Sequence, residues 1–283
     1  MKAIYLLVLI SLALNIASCT RDVDAPVSWK KPDTKSLGCT DYLSLVVDDG
    51  VLTNNVWNKG AADQNSWSQC LESREFNGAT QYGWSWSWPR NKKVIYSYPQ
   101  IKRGVSPWAP IPKFDERFPL ALSAVEKMII SYDVEIDTNG QHNLATSMWL
   151  TDAPHTGTEP NSSIIAAEVM IWTYATKNHF NPAGKKYGSI TSNNTEWEVW
   201  YDKNWGDASG ENSNKWIYLT FRAKESSLKT SFDVIDLLSY AINKNLITSD
   251  LFISDVELGN EIMDGEGITW INKFDVDIHP KPQ

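Results

Sequence analysis

Along most of the chain, hydrophobic positions alternate with polar ones in short runs, and clusters of Asn, Gly, Asp and Pro interrupt them. Period-two runs bounded by turn residues predict strands. They fall at residues 43–47, 51–57, 66–71, 81–88, 94–98, 127–135, 144–150, 164–174, 196–202, 215–223, 251–261 and 269–278. A chain of such strands with turn-rich links and no repeat period predicts an all-β sandwich of two antiparallel sheets. One stretch changes period. Val234, Ile235, Leu238, Ala241 and Ile242 recur at three-to-four spacing, the mark of an amphipathic helix. Thr230 can cap it, Asp233 can close a capping box, and Lys244 suits the C-terminal end of the dipole. This helix should pack over the sandwich.

The first residues follow another pattern. Lys2 precedes an apolar run over residues 4–14, broken by Ser11, and Ile16-Ala17-Ser18-Cys19 follows. The run is short for a membrane span and has the length of a signal peptide. Small residues before Cys19 resemble the bacterial lipobox, in which the cysteine becomes the first residue and carries lipid. Ordinary secretion with Cys19 incidental is the alternative. The predicted organisation is a signal peptide over 1–18, a flexible polar tether over 19–35, and a single domain over 36–283. The protein would then be held at the bacterial cell envelope by a membrane anchor at Cys19. Of the three cysteines, Cys39 and Cys70 remain. Outside the reducing cytoplasm they are expected to pair, the alternative being two free thiols.

Composition narrows the function. A net charge of -8 without a basic block disfavours nucleic acid as a partner. The 42% hydrophobic and 21% charged content excludes bulk disorder. Four histidines and three cysteines leave little for a metal cluster. There is no glycine-rich phosphate loop and no His-Glu-x-x-His. The excess is aromatic: 14 Trp, 11 Tyr and 8 Phe offer more flat surface than one core uses. Trp84, Trp86 and Trp88 share one parity. They form either a stacking platform for a ligand or core between the sheets, and core is favoured for two of the three.

Alternation also locates candidate chemistry. In 164–174, Ile165, Ala167, Val169, Ile171 and Thr173 point one way, while Ala166, Glu168, Met170, Trp172 and Tyr174 point the other. A carboxylate among Met, Trp and Tyr is costly to bury unless something uses it. In 251–261, Asp255, Glu257, Gly259 and Glu261 share a face. Carboxyl groups brought together repel, and one keeps a proton near neutrality. General acid catalysis beside an ionised partner needs that arrangement, and glycoside hydrolysis needs such a pair across the scissile bond.

Several short motifs, in order over residues 39–278, carry a resemblance. They are Asn54-Asn55-Val56-Trp57, Ser97-Tyr98-Pro99-Gln100, Asn143-Leu144-Ala145, Glu168-Val169-Met170-Ile171-Trp172, the run from Phe232 to Leu246, Glu257-Leu258-Gly259-Asn260-Glu261 and Gly265-Glu266-Gly267. Together they resemble glycoside hydrolase family 12, the β-jelly-roll endoglucanases and xyloglucanases. The resemblance implies a jelly-roll sandwich with one packed helix and a concave substrate cleft. It implies a retaining endo-β-1,4-glucanase with Glu168 as nucleophile and Glu261 as general acid/base. Asn55 and Trp57 correspond to a substrate-binding pair, Met170 and Trp172 to a cleft wall, and Cys39 with Cys70 to a disulfide.

One position departs from the family. Ser147 stands where the family commonly has Asp, so it can hydrogen-bond Glu168 but cannot supply a charge; Glu257 is the neighbouring acid that could compensate. No metal or organic cofactor is implied. The expected partner is β-glucan or xyloglucan polysaccharide, bound by a monomer. Branch tolerance would depend on the loops 103–118 and 176–195. A non-catalytic surface glycan-binding lipoprotein and a structural surface protein are the competing readings. They differ from the enzyme in whether Glu168 and Glu261 face one open groove.

Overall fold

The computed structural model describes residues 29–90, 93–206 and 213–282. The signal segment and Cys19 lie outside the described residues. In chain order the strands are β1 (Lys35–Gly38), β2 (Ser44–Val47), β3 (Gly50–Thr53), β4 (Ser68–Phe76), β5 (Ala79–Trp88), β6 (Gln100–Gly104), β7 (Leu120–Ala121), β8 (Val125–Thr138), β9 (Asn143–Thr151), β10 (Ile165–Ala175), β11 (Lys185–Ser192), β12 (Thr195–Gly206), β13 (Lys215–Ala223), β14 (Lys229–Asp233), β15 (Phe252–Ile253), β16 (Asp255–Gly259) and β17 (Gly265–Pro280). The helix α1 (Val234–Asn243) lies between β14 and β15.

Two sheets stack as a sandwich. The smaller runs β1-β4-β5-β17-β8-β14. The larger runs β11-β12-β13-β10-β9-β16-β6-β3-β2, with β15 joining β9 to β7. The pairing is antiparallel except between β10 and β13, which run parallel. The inner faces bury one continuous core. Ala167, Val169 and Ile171 of β10 and Val256 and Leu258 of β16 enter it from the larger sheet. Trp84, Trp86 and Trp88 of β5 enter it from the smaller one, so the whole tryptophan stripe is core. Each large apolar side chain fully buried there contributes on the order of 2 kcal/mol.

Several expectations shift by physical causes that periodicity does not carry. Residues 94–98 form no strand; Ser97 makes an isolated bridge to Ile262, and pairing starts at Gln100. There Lys102 and Arg103 interrupt the apolar pattern of β6. The helix is capped by Asp233, whose Oδ1 accepts the Ile235 N–H at 3.0 Å. Thr230 is in β14, opposite Tyr132. The buried helix stripe is Val234, Leu237, Leu238 and Ala241.

The disulfide between Cys39 and Cys70 is present and ties the end of β1 to β4. The chain ahead of β1 is already docked. Lys31 pairs with Glu72, and Thr34 Oγ1 donates to Glu72 Oε2 at 2.7 Å. The expected tether over 19–35 is therefore fixed to the smaller sheet from Lys31 onward.

Candidate active site

The outer face of the larger sheet carries the second buried cluster, built from Tyr98, Ala145, Met170, Trp172 and Tyr218, with Trp57 against it. Cross-strand register sets out this face in rows. Met170 on β10 pairs with Ser147 on β9, which pairs with Glu257 on β16, which pairs with Lys102 on β6. The next row is Trp172, Ala145, Gly259 and Gln100. Glu168 precedes the first row, opposite Trp149. Glu261 follows the second row, just past the end of β16. Glu168 and Glu261 thus stand at opposite ends of these two rows. A side chain on Gly259 would not fit, because its Cβ would lie 2.5 Å from the Pro99 carbonyl and 3.0 Å from the Tyr98 ring.

Parity holds in the middle of β10 and fails at its ends. Register shifts occur between Ile165 and Ala167 and between Trp172 and Tyr174, and Ala166 and Tyr174 are partly buried against the large core cluster. Glu168, Met170 and Trp172 keep the expected face.

Glu168 is held by an indole. Trp216 Nε1 donates to Glu168 Oε2 at 3.0 Å. Trp216 also meets Trp149 and Trp108 edge to face, with centroids at 5.6 and 5.8 Å, and Trp108 meets Trp149 at 5.4 Å. Such contacts fix ring orientation as well as burying area. Trp216 comes from β13, the parallel neighbour of β10, and Trp108 from the loop after β6.

Glu261 is held by an amide. Asn143 Oδ1 accepts the Glu261 N–H at 2.8 Å, and Asn143 Nδ2 donates to Glu261 Oε2. Asn143 is itself anchored: Asn260 Nδ2 donates to its carbonyl at 2.6 Å. Asn260 Oδ1 in turn accepts from Trp84 Nε1 at 2.9 Å and Thr269 Oγ1 at 2.8 Å. The acid is thereby connected to the tryptophan core. His179 Nε2 lies 3.3 Å from the Glu261 carbonyl, and its ring stands edge-on to Trp172. Burial first, and the charge of Glu168 second, push the Glu261 carboxyl up to about 8, against the Asn143 hydrogen bond. It holds its proton at neutral pH.

Three further ionisable groups are enclosed beside the pair. Glu257 is 4% exposed, Asp255 0% and Lys102 1%. Burial, opposed by the Trp149 N–H and Lys102, raises Asp255 to about 6. Burial and the charge of Asp255 raise Glu257 well above the usual carboxylate range. Burial lowers Lys102, whose Nζ donates to the Ala109 carbonyl at 2.6 Å. Ser147 is enclosed too, between Met170 and Glu257. Glu257 is the cross-strand partner of Ser147 on the neighbouring strand.

Asn55 and Trp57 reach the same face. Asn55 Oδ1 accepts the Trp57 N–H at 3.1 Å, and Asn55 Nδ2 donates to Gln100 Oε1 at 3.3 Å. Tyr98 donates to the Ala145 carbonyl at 2.9 Å. Burial, with Glu257, Glu261 and Glu168 nearby, keeps its phenol protonated well above the usual range.

Sequence reading did not single out Asn143, Trp216, His179 or Lys102 as site residues. Alternation along 215–223 does put Trp216 and Tyr218 on one face. The grip of Asn143 on Glu261 comes from a strand crossing that no spacing encodes.

Residues 49–279 match the family model described as Glycosyl hydrolase family 12, and the chain belongs to that family. It is 27% identical over 232 residues to "Endoglucanase S" of Pectobacterium parmentieri, covering 80% of this chain and 81% of that one. It is 22% identical over 248 residues to a "Probable xyloglucan-specific endo-beta-1,4-glucanase A" of Aspergillus clavatus, covering 85% and 90%. Among solved structures it is similar to the native family 12 xyloglucanase from Bacillus licheniformis, with TM-score 0.72, 23% identity, and 86% and 99% of the two chains covered.

Proposed function

We infer that this chain is a retaining endo-β-1,4-glucanase that hydrolyses internal glucosidic bonds of β-glucans, xyloglucan among them. The observation that supports the reading is the placement of Glu168 and a proton-holding Glu261 at the two ends of one sheet face, close enough for the charge of Glu168 to raise Glu261. The relatives named as an endoglucanase and a xyloglucan-specific endo-β-1,4-glucanase support it.

The chemistry follows from the two environments. Glu168, oriented by Trp216, attacks the anomeric carbon as the bond to the departing sugar breaks. Glu261 gives its proton to the leaving oxygen. The resulting glycosyl ester removes the charge at Glu168, which eases ionisation of Glu261. Glu261 then takes a proton from water, the water oxygen attacks the anomeric carbon, and Glu168 is released as carboxylate. Two inversions retain the β configuration.

The test is direct. Glu168→Gln should abolish turnover on every glucan. Glu261→Ala should lose natural substrates but keep part of its rate on aryl glycosides with activated leaving groups, and azide should rescue it by forming a β-glycosyl azide. NMR during hydrolysis should show the β-anomer first. An initial α-anomer, or full activity in Glu168→Gln, overturns the assignment.

We further propose that the enzyme acts as a monomer at the bacterial cell envelope, lipid-anchored through Cys19. The apolar segment ending in Ile16-Ala17-Ser18-Cys19 supports the anchor. Cys19→Ala should move the protein out of the membrane fraction; an unchanged distribution would rule the anchor out. Light scattering of the released protein should give the mass of one chain.

A further inference from the structure

The turn after β10 reaches back to Glu261. The Thr176 N–H donates to the His142 carbonyl at 2.9 Å, and the His179 N–H donates to the Thr176 carbonyl at 3.0 Å. Gln141 Oε1 accepts the Asn178 N–H at 3.2 Å. These bonds seat the turn against the chain that enters β9. The His179 ring stands edge-on to Trp172, with centroids 5.1 Å apart. Its Nδ1 lies 3.1 Å from the Phe180 carbonyl, and its Nε2 lies 3.3 Å from the Glu261 carbonyl.

Both carbonyls can only accept, and a neutral imidazole has a single N–H. Burial lowers the ring to about 4, with Arg222 acting the same way and the two carbonyls opposing. Near neutral pH, one carbonyl therefore takes the proton and the other faces a lone pair. Location decides between them. The Phe180 carbonyl belongs to a turn whose Lys177 and Asn178 are exposed, where water supplies a substitute donor. The Glu261 carbonyl belongs to the residue that turns anionic midway through the cycle. An N–H is favoured there and a lone pair is not.

The backbone of Glu261 lies past the last residue of β16. Its neighbours are tied to residues 97–99: the Asn260 N–H donates to the Pro99 carbonyl at 3.3 Å, and the Ile262 N–H to the Ser97 carbonyl at 3.1 Å. Glu261 itself is tied elsewhere. Asn143 accepts its N–H, and the Asn143 N–H donates to its carbonyl at 3.2 Å. His179 meets that same carbonyl from the turn after β10.

We propose that His179, in its Nε2–H tautomer, is a positioning residue for Glu261: it donates to the peptide carbonyl of the acid/base and so holds the carboxyl on line with the leaving oxygen. The inference rests on the assignment of Glu261 as general acid/base under the proposed function. The turn after β10 thereby belongs to the catalytic frame, although its His179 touches no substrate.

Two amides sort the ring nitrogens. A Gln amide nitrogen falls where Nε2 stands, and an Asn amide nitrogen falls where Nδ1 stands. In the full chain, His179→Asn should lower kcat/KM on a glucan oligosaccharide about three- to tenfold, the range of one hydrogen bond, and through kcat rather than KM. On an aryl β-glycoside whose activated phenol leaves without a proton, the loss should stay below about twofold. His179→Gln should recover most of the oligosaccharide rate. His179→Leu carries the expectation of His179→Asn and serves if that variant does not fold. Equal losses on both substrates would make His179 merely structural and overturn the proposal. So would a His179→Gln as slow as His179→Asn, or a His179→Asn at the wild-type rate. Glu261→Ala is measured alongside on the same two substrates. An equal loss on both in that variant would instead overturn the acid/base assignment of Glu261 itself.

Discussion

Asn143 grips Glu261 at both ends, accepting from its backbone N–H at 2.8 Å and donating to its carboxyl Oε2. The first bond fixes where the residue leaves β16, and the second fixes where its proton can point. Asn143 donates to the ionised form and so works against the burial that lifts Glu261 to about 8. Asn143→Ala therefore has two separable effects. Loss of aim should lower kcat by about ten- to a hundredfold, the scale of a misplaced acid–base group. Loss of the donor should keep Glu261 protonated to higher pH, so the alkaline limb of kcat/KM moves up. A pH–rate profile checks both, and an unmoved or lowered alkaline limb contradicts the assignment.

Trp216 offers a second handle. Its indole donates to Glu168 at 3.0 Å while its ring packs on Trp149 and Trp108. Trp216→Phe keeps most of the packing and removes the donor. A hydrogen bond to a carboxylate is worth about 1.5–3 kcal/mol, so kcat/KM should fall by roughly ten- to a hundredfold, with little change in thermal stability. A full-rate Trp216→Phe would show that the bond does not orient the nucleophile.

The larger part of the architecture is written in period two, because each sheet has one face against the other. That is why Val169 and Ile171 separate from Glu168 and Met170 on sight, and why Asp255, Glu257 and Glu261 fall on one face; the choice of Glu168 and Glu261 as the pair comes from the family resemblance. The pattern thins where burial is one-sided or chemistry intrudes. Edge strand β11 alternates weakly because most of it is exposed. Lys102 makes β6 look like a loop although it is buried. The tryptophan stripe reads as core for two of its three rings, and the third also proves to be core, since ring surface alone does not say which face of β5 meets the other sheet. Asn143, Asn260 and Trp84 join into one network only after three distant segments meet.

The disulfide has a calculable share. Cys39 and Cys70 are separated by 31 positions, and closing a loop of that length constrains the unfolded chain by about 3–4 kcal/mol. The double variant Cys39→Ala with Cys70→Ala should unfold at lower urea by that amount, while folded material keeps kcat/KM within about threefold of the wild type. The bond sits on the smaller sheet, away from the cleft floor. A variant as stable as the wild type would show that the docking of Lys31 and Thr34 on Glu72 already holds this edge.

Stability should fall as pH rises through neutrality, and the active-site acids set the sign. Folding raises Glu261 from 4.5 to about 8 and Asp255 from 3.8 to about 6, and lifts Glu257 as well. Between the unfolded and folded values, the native protein holds protons that the unfolded chain has released. The stability these groups contribute is fully present below about pH 4 and is lost as pH climbs through about 8. Asp115, Asp133 and Glu198 act oppositely, since ion pairs lower them, and so do His142 and His179, which burial lowers to about 4. Because His142 and His179 oppose the acids between about pH 4 and 6.5, the contribution of Glu261 is read from a variant of that residue alone. Glu261→Gln mimics the protonated acid. It should melt with the wild type near pH 4 and several degrees above it at pH 8, while losing catalysis at both. Thermal melts across that range decide the point. A Glu261→Gln protein that is no more stable than the wild type at pH 8 would mean that Glu261 does not carry its proton at the cost of stability.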